Sequence, residues 1–261
     1  MKVEKQRLDK LLVQRGLCES REKARALILA GKVVVNNNRV DKAGTQIAID
    51  AELRLKTPPS RYVSRGGLKM EAALDAFSIA LKGRVALDLG ASTGGFSDCL
   101  LQKGCSHITA VDVGYGQLHQ RLRADDRVLS LERTNARYLT REILSLGEND
   151  YFDIIVADLS FISLRLIVEP VLPFFHPEGD MILLVKPQFE AGRGSVGKGG
   201  VVRDDKIRQH CADQVSDIAT ELNLQEMGRI DSPTHGPKGN IEILMWLKHS
   251  QTNSLTQEKE P

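Results

Sequence analysis

The spacing of apolar residues predicts different kinds of structure in the two parts of this chain. At the start, apolar residues recur at helical spacing over 7–16 and again over 20–31, and each run ends in a glycine, which is typical of a helix C-terminus. Short β-prone runs follow between 33 and 55, separated by polar turns. This pattern predicts a small α+β domain.

Beyond residue 66, apolar runs of strand length alternate with segments of helical periodicity. Because apolar strands separated by helices are typical of a parallel sheet covered on both faces, we expect an α/β domain. A loop rich in proline and glycine at 231–240 separates the last two strands, so we expect one antiparallel strand at the end. The predicted strands lie near Val85–Leu89, His107–Asp112, Val128–Leu131, Phe152–Ala157, Met181–Val185, Gln225–Ile230 and Ile241–Leu247.

Two prolines in the segment TPPS, residues 57–60, mark the boundary between these parts, because proline interrupts helices and sheets. We predict a first domain over 1–59, a linker over 60–65 and a second domain over 66–249. The tail, 250–261, is polar and without periodicity, and we expect it to be disordered.

Composition narrows the class of protein. No apolar run approaches the roughly 20 residues of a membrane helix. The charged N-terminus leads into no apolar signal segment, so we expect a cytoplasmic protein without membrane contact. The four cysteines and six histidines fall at no metal-ligand spacing, which predicts reduced thiols and no metal site. Oligomeric state does not follow from the sequence.

Charge is distributed unevenly along the chain. Residues 1–60 carry 13 Lys/Arg and 7 Asp/Glu, a surplus of six positive charges, whereas the whole chain has a net charge of only +2. The remaining residues are therefore negative by four charges. A basic first domain suits a polyanionic partner, although charge alone fits a solvated surface equally well.

The segment VALDLGASTGGFSD, residues 85–98, has the pattern of a ligand-binding turn between a strand and a helix. A dinucleotide-binding turn reads G-x-G-x-x-G and holds a pyrophosphate. Here the glycines stand at 90, 94 and 95 after the acidic Asp88, which suits a ligand that carries positive charge and hydroxyls. S-adenosylmethionine (SAM) is such a ligand, and Asp112 at the next strand tip can accept its ribose hydroxyls. The alternative is an ordinary connection in another doubly wound protein.

The first domain resembles the S4 domain, a small RNA-binding module. The resemblance is carried by R-L-D-x-L-L at 7–12 and by S-R-x-x-A-x-x-L-I-x-x-G-x-V-x-V-N at 20–36. It implies phosphate contacts, which position RNA without reading its sequence. Because the domain has no aromatic platform, we expect it to recognise the shape of structured RNA. The candidate RNA contacts are Arg7, Arg21, Lys23, Arg25, Lys32 and, in the linker, Arg65.

If the ligand is SAM, the protein transfers its methyl group to an acceptor. That acceptor is expected at the strand tips, where ligands meet a parallel sheet. The turn DLSF at 158–161 lacks the prolines of amino-nitrogen base methylation, and no cysteine lies near these tips to attack a cytosine ring. The tips and the leading helix offer two lysines and two acids: Lys69, Asp158, Lys186 and Glu242. Each of them taken singly also fits a surface ion pair.

A ribose 2′-OH is a poor nucleophile until a base removes its proton. A lysine serves as that base only if its pKa falls from about 10.4 toward neutrality. Burial and a second ammonium lower a lysine pKa, whereas carboxylates raise it. We therefore predict ribose 2′-O-methylation with Lys186 as the base, Asp158 and Glu242 orienting it, and Lys69 assisting.

These four residues resemble the Lys-Asp-Lys-Glu tetrad of FtsJ/RrmJ-type RNA 2′-O-methyltransferases, within S-R-G-G-L-K, A-D-L-S, L-V-K-P-Q-F-E and N-I-E. An S4 domain joined to an FtsJ-like body by R-Y-V-S-R-G-G resembles the TlyA family, whose members are often labelled haemolysins. The resemblance implies a class I SAM-dependent methyltransferase fold, which is a Rossmann-like α/β fold with a mainly parallel seven-stranded sheet. It implies SAM contacts from Asp88, Gly90, Ala91, Ser92, Gly94, Gly95, Phe96, Asp112, Asn135 and Asp158.

The same resemblance implies methylation of a cytidine 2′-OH in 16S rRNA, 23S rRNA or both, with rRNA or ribosomal subunits as partners. The chain departs from the FtsJ pattern in reading S-T-G-G-F rather than A-P-G-G-W, and in having Asn135 where aspartate is common. We expect the glycine-rich segment 191–202 to be mobile and to close over substrate. The open alternatives are a membrane-active haemolysin, an inactive RNA-binding assembly factor and a base methyltransferase.

Overall fold

The computed structural model describes residues 4–56, 61–192, 196–197 and 199–250. The chain divides into two compact units, Met1–Arg61 and Tyr62–Pro261. Residue 60 of the predicted linker and residues 251–261 of the predicted tail lie outside the described residues. No helix in the described ranges is long and apolar enough to span a membrane.

The first unit combines two helices with short strands around an apolar core. Leu8 and Leu12 of the first helix belong to one apolar cluster with Ala24 and Ile28 of the second. Ser20 caps the second helix by accepting a hydrogen bond from the backbone N–H of Lys23 at 3.2 Å. The elements are β1 (Lys5–Arg7), α1 (Leu8–Gln14), α2 (Arg21–Leu29), β2 (Val33–Val35), β3 (Asn38–Arg39), β4 (Gln46–Ala48) and β5 (Leu53–Leu55).

Two small sheets complete this unit. Strands β3, β2 and β5 form an antiparallel sheet in that order, and β1 pairs with β4 in a second one. The sequence did not predict β1, because three residues are too few to show a periodicity.

The second unit alternates strands with helices. Its elements are α3 (Gly66–Ala76), β6 (Val85–Leu89), α4 (Gly95–Gln102), β7 (His107–Val111), α5 (Gln120–Arg123), β8 (Val128–Leu131), β9 (Phe152–Ala157), α6 (Val168–Val171), β10 (Phe175–Val185), α7 (Pro187–Glu190), α8 (Asp205–Glu221), β11 (Leu224–Asp231) and β12 (Ile243–His249). Short 3₁₀ helices lie at Ala136–Tyr138, Leu164–Leu166, Leu172–Phe174 and Pro237–Gly239.

These strands form one seven-stranded sheet in the order β11-β12-β10-β9-β6-β7-β8. The strands from β10 to β8 in this order pair in parallel, which confirms the predicted mainly parallel sheet. β12 is antiparallel to both of its neighbours, β10 and β11. This antiparallel strand, the last in the chain, therefore lies inside the sheet rather than at its edge.

Apolar cores cover both faces of the sheet. In β9, Ile154 and Val156 belong to one apolar cluster, whereas Ile155 and Ala157 belong to the cluster on the opposite face. This alternation follows from the two-residue period of a strand. Because β6, β7, β9 and β10 are parallel, their carboxyl ends meet at one edge, and the polar residues there are brought together.

Glycines allow the first turns of α3 and α4 to pack closely at this edge. A Cβ at Gly95 would lie 2.2 Å from the Oγ of Ser64 and 3.0 Å from the Cα of Gly66. A Cβ at Gly67 would lie 2.2 Å from the ring of Tyr62, which is buried. Gly66 of S-R-G-G-L-K and Gly95 of S-T-G-G-F thus let the two helices pack closely, whereas Gly67 leaves room for the ring of Tyr62.

Gly95→Ala is expected to lower the free energy of unfolding of the second unit by about 1–3 kcal/mol, because the new methyl group overpacks a backbone contact. Urea unfolding followed by the fluorescence of Trp246, the single tryptophan, measures the free energy of unfolding of this unit. Gly192→Ala is the matched control, because a Cβ there would meet nothing within 4 Å. Equal midpoints for the two variants would contradict the expectation.

Candidate active site

Asp88 lies near the carboxyl end of β6 and is fully buried. Its Oδ2 accepts hydrogen bonds from the backbone N–H and the hydroxyl of Ser97, at 3.0 and 2.6 Å. Its Oδ1 has no hydrogen-bond partner among the described residues, and Asp88 lines a cavity of about 670 Å³. Burial raises the pKa of this carboxyl group to about 7. An unpaired buried acceptor of this kind suits a cationic donor such as an ammonium group.

The turn after β6 brings the backbone close to this cavity. Gly90 and Gly94 have φ of +80° and +89°, in the left-handed region that favours glycine. A Cβ at Gly90 would lie 2.7 Å from the carbonyl oxygen of Asp158, so two strand tips approach closely there. Gly94 does not line the cavity. A Cβ at Gly94 would instead collide with the side chains of Leu118 and Leu122. The predicted cofactor residues that line the cavity are Asp88, Gly90, Ala91, Ser92, Gly95, Phe96 and Asp158.

Asp112 follows β7 and organises the neighbouring turn. Its carboxylate accepts hydrogen bonds from the backbone N–H of Ser92 at 2.8 Å and of Gly114 at 2.6 Å. It lines a small second cavity, which shares Ala91 and Ser92 with the first. Asn135 lines neither cavity in the described part of the chain, and its side chain instead accepts from the backbone N–H of Arg137 at 3.0 Å.

These groups fit SAM. The unpaired Oδ1 of Asp88 can accept from the ammonium, and Asp112 lies at the adjoining cavity, where ribose hydroxyls would be accepted. The first N–H groups of α4 have no partners within the helix, so they suit a carboxylate. Asn135 as an adenine contact stays a prediction.

SAM affinity is expected to fall about tenfold between pH 8 and pH 6, because Asp88 must be ionised to bind an ammonium group. Its pKa in the free protein is raised to about 7, so the ionised fraction falls from about nine tenths to about one tenth. Equilibrium dialysis with labelled SAM measures the affinity at each pH. Asp88→Asn is the control, because any effect of the titration of SAM itself is the same for the variant and the wild type. An identical pH dependence of SAM affinity in the two proteins would contradict the role of Asp88.

Two lysine–carboxylate pairs line the same cavity. The Nζ of Lys186, at the end of β10, lies 2.6 Å from the Oδ1 of Asp158, and the Nζ of Lys69 in α3 lies 2.5 Å from the Oε2 of Glu242. Lys69, Lys186 and Glu242 are buried. Four residues that are far apart in sequence are thus brought together at one edge of the sheet.

The pairing differs from the expectation that both acids orient Lys186. Of the two acids, Asp158 pairs with Lys186, and the hydroxyl of Ser160 is a further acceptor for its Nζ at 2.9 Å. Glu242, which immediately precedes β12, is fully buried and pairs with Lys69. Gly236 leaves room for the Glu242 carboxylate, because a Cβ there would lie 2.3 Å from its Oε1.

Phe161 was not among the site residues predicted from the sequence. Its side chain is 91% exposed, lines the cavity, and has a φ of +64°. Its ring lies 5.1 Å from that of Phe189, centroid to centroid. An exposed phenylalanine whose backbone lies in the left-handed region does not help the protein to fold. Its presence here points to a role in binding. Its position three residues after Asp158 was the available signal.

Glu190 braces the loop that carries Asp158, Ser160 and Phe161. Its buried carboxylate accepts hydrogen bonds from the hydroxyl of Ser163 at 2.5 Å and from the backbone N–H of Leu164 at 2.8 Å. Burial raises the pKa of this carboxyl group. Lys186 immediately precedes α7 and Glu190 is its last residue, so both ends of this one helical turn contact the loop after β9.

The glycine-rich segment 191–202 reaches the cavity. Its residues 193–195 and 198 lie outside the described residues, whereas Val196 and Gly200 line the cavity. Asn240 ties the end of the segment down, because its Nδ2 donates to the carbonyl of Gly200 at 2.9 Å and its Oδ1 accepts from the N–H of Val202 at 3.0 Å. Closure of this segment over substrate stays a prediction.

The candidate RNA contacts differ in their surroundings. The three arginines predicted in the first unit share one buried carboxylate, that of Asp9. Lys23 forms an exposed ion pair with Glu19 at 3.0 Å, and Lys32 is exposed. Arg65 is exposed and lines the cavity of the second unit. No group of three or more His, Cys, Asp or Glu side chains that could hold a metal ion occurs in the described ranges.

Comparison with known proteins agrees with this geometry. Residues 62–249 match the FtsJ-like methyltransferase family, and residues 6–53 match the S4 domain. The chain is 45% identical over 251 residues to the 16S/23S rRNA (cytidine-2′-O)-methyltransferase TlyA of Mycobacterium tuberculosis, which covers 96% of this chain and 92% of the relative.

A solved structure of a hemolysin-named protein from Streptococcus thermophilus superposes with a TM-score of 0.74 at 41% identity, covering 96% of this chain and 90% of that one. Hemolysin A of Brachyspira hyodysenteriae is 40% identical over 238 residues, which are 91% of this chain and 98% of the relative. The chain therefore belongs to the TlyA family, as a SAM-dependent FtsJ-like methyltransferase preceded by an S4 domain.

Proposed function

We propose that this protein methylates a ribose 2′-OH of ribosomal RNA, at a cytidine of the small subunit, the large subunit or both. The observation that carries the proposal is that the pairs Lys186–Asp158 and Lys69–Glu242 line one cavity with the unpaired carboxylate oxygen of Asp88. The cytidine 2′-O specificity is the one named for the relative from Mycobacterium tuberculosis. We infer a cytoplasmic location from this proposed action on ribosomal RNA.

Lys186 is the residue best placed to accept the proton of the 2′-OH. When the amine of Lys186 is neutral, its two N–H groups can donate to Asp158 and Ser160, which leaves the lone pair of Nζ to accept the proton of the substrate hydroxyl. Lys69, which is paired with Glu242, contributes positive charge to the same cavity. When bound, SAM would supply the electrophilic methyl group, with S-adenosylhomocysteine as the leaving group.

The cavity also favours ribose over a cytosine ring as the acceptor. Methylation of cytosine carbon 5 needs a thiolate nucleophile, yet none of the four cysteines lines the cavity among the described residues. Burial raises the pKa of Cys99 and Cys105 to about 12. The exposed ring of Phe161 gives an unstacked base a surface on which to stack beside the reacting ribose.

Methyl transfer from labelled SAM to purified ribosomal subunits and to free rRNA tests the proposal. Nucleoside digestion of the product is expected to give label in 2′-O-methylcytidine, and the labelled linkage should resist alkaline cleavage because the 2′-oxygen is blocked. Label in a base-methylated nucleoside, or no label on any RNA with SAM binding intact, would overturn it.

A further inference from the structure

Asp9 is a buried acid that pairs with three arginines of the S4 unit. It lies in the first turn of α1 and its side chain is 0% exposed. Its carboxylate accepts from the Nε and Nη2 of Arg7 at 3.0 Å each, from Arg21 at 3.0 Å and from Arg25 at 3.2 Å. The backbone N–H of Lys10 adds another hydrogen bond at 3.0 Å. One carboxylate thus gathers three guanidinium groups from β1 and α2.

The three arginines are partly exposed, and their guanidinium groups keep N–H donors that Asp9 does not use. Their side chains are 39%, 41% and 49% exposed for Arg7, Arg21 and Arg25. A guanidinium has five N–H donors, so each retains donors beyond those given to Asp9. The Nε of Arg21 is buried and has no hydrogen-bond partner in the described part of the chain. The cluster carries two positive charges in excess of its one acid, which suits an anion.

A need for stability alone does not explain this cluster. Replacing a buried ion pair by apolar side chains is often neutral or stabilising, and one arginine would suffice to compensate one carboxylate. Without Asp9, three like charges would repel one another and their side chains would spread apart. The hydrogen bond from Arg7 holds the pKa of the Asp9 carboxyl well below its usual range, so the acid stays ionised at neutral pH.

We propose that Asp9 is a positioning residue that holds Arg7, Arg21 and Arg25 together as one site for a backbone phosphate of structured RNA. This inference rests on the proposed function, because it takes RNA as the ligand of the S4 unit. Planar guanidinium groups held in fixed orientation form paired hydrogen bonds to phosphate oxygens. Asp9 therefore strengthens RNA binding although it bears the same sign of charge as RNA.

Asp9→Asn separates this role from general electrostatic attraction, because the two predict opposite changes in RNA affinity. The substitution adds one unit of positive charge to the S4 unit, so attraction alone predicts tighter RNA binding. Positioning predicts that the affinity of the full chain for purified 16S or 23S rRNA falls at least about tenfold. If one phosphate contact is lost, the slope of log affinity against log salt should become shallower by about one.

Asp41→Asn is the matched control, because Asp41 is an exposed acid of the same unit and its loss adds the same charge. Filter binding at several salt concentrations gives affinity and slope for both variants, and SAM binding and thermal unfolding report on folding. The inference is overturned if folded Asp9→Asn binds rRNA as tightly as the wild type or more tightly.

Arg7→Lys provides a second test in case Asp9→Asn does not fold. Lysine keeps the charge but cannot form the paired contact that Arg7 makes with both oxygens of Asp9. We expect weaker rRNA binding at unchanged net charge, and wild-type affinity would overturn the inference. A wild type that binds rRNA without methylating it would contradict the proposed function and leave the role of Asp9 intact, whereas a wild type that binds no rRNA would overturn both.

Discussion

Lys186→Ala is expected to lower the rate of methyl transfer to rRNA by about 10³-fold, within the range that a positioned general base contributes. The Nζ of Lys186 contacts Asp158 and Ser160 and lines the cavity, so its loss removes the proton acceptor without disturbing Asp88. SAM affinity should therefore stay close to that of the wild type. Single-turnover transfer from labelled SAM to rRNA measures the rate, and equilibrium dialysis measures the affinity.

Lys186→Arg distinguishes a base from a fixed positive charge. Arginine keeps the charge but does not lose its proton in proteins, so it cannot accept one from the 2′-OH. We expect this variant to be as inactive as Lys186→Ala. Lys206→Ala, which alters an exposed lysine of α8, is the control and should keep wild-type activity. Substantial activity in Lys186→Arg would contradict the assignment of Lys186 as the base.

The strand tips could be predicted from the sequence because each depends on a local pattern. Apolar runs that end in Asp88, Asp158 and Lys186 predict parallel strands, and parallel strands bring their carboxyl ends to one edge. That rule alone is enough to predict that these side chains approach one another. The S4 pattern is similarly local, since two helices and their glycine ends are visible in sequence spacing.

The partners within the site could not be predicted, because they depend on contacts between distant residues. Sequence spacing places Glu242 within the last predicted strand, 241–247, whereas it immediately precedes β12 in the structure. Only the insertion of β12 beside β10 decides that Glu242 lies where Lys69 can reach it. The loop that carries Phe161 is held at Ser163 and Leu164 by hydrogen bonds to Glu190, which belongs to α7 and is distant in sequence. Likewise, no local pattern shows that Asp9 is buried beneath three arginines.

Lys69→Met is expected to reduce methyl transfer strongly and to lower the free energy of unfolding of the second unit by about 3 kcal/mol, as is usual when one partner of a buried ion pair is removed. The reason is that Glu242 is fully buried and its Oε1 already lacks a hydrogen-bond partner among the described residues. Removing Lys69 leaves this carboxylate without its cation. Urea unfolding followed by Trp246, which stacks on Phe77 within the same unit, measures the loss.

The double variant Lys69→Met/Glu242→Leu separates stability from catalysis. Because both charges are replaced by apolar side chains, the free energy of unfolding should return to within about 1 kcal/mol of the wild type. Methyl transfer should remain as low as in Lys69→Met, because the positive charge of Lys69 is still absent from the cavity. Recovery of activity together with stability would show that the pair Lys69–Glu242 supports the fold alone, and would remove Lys69 from the proposed mechanism.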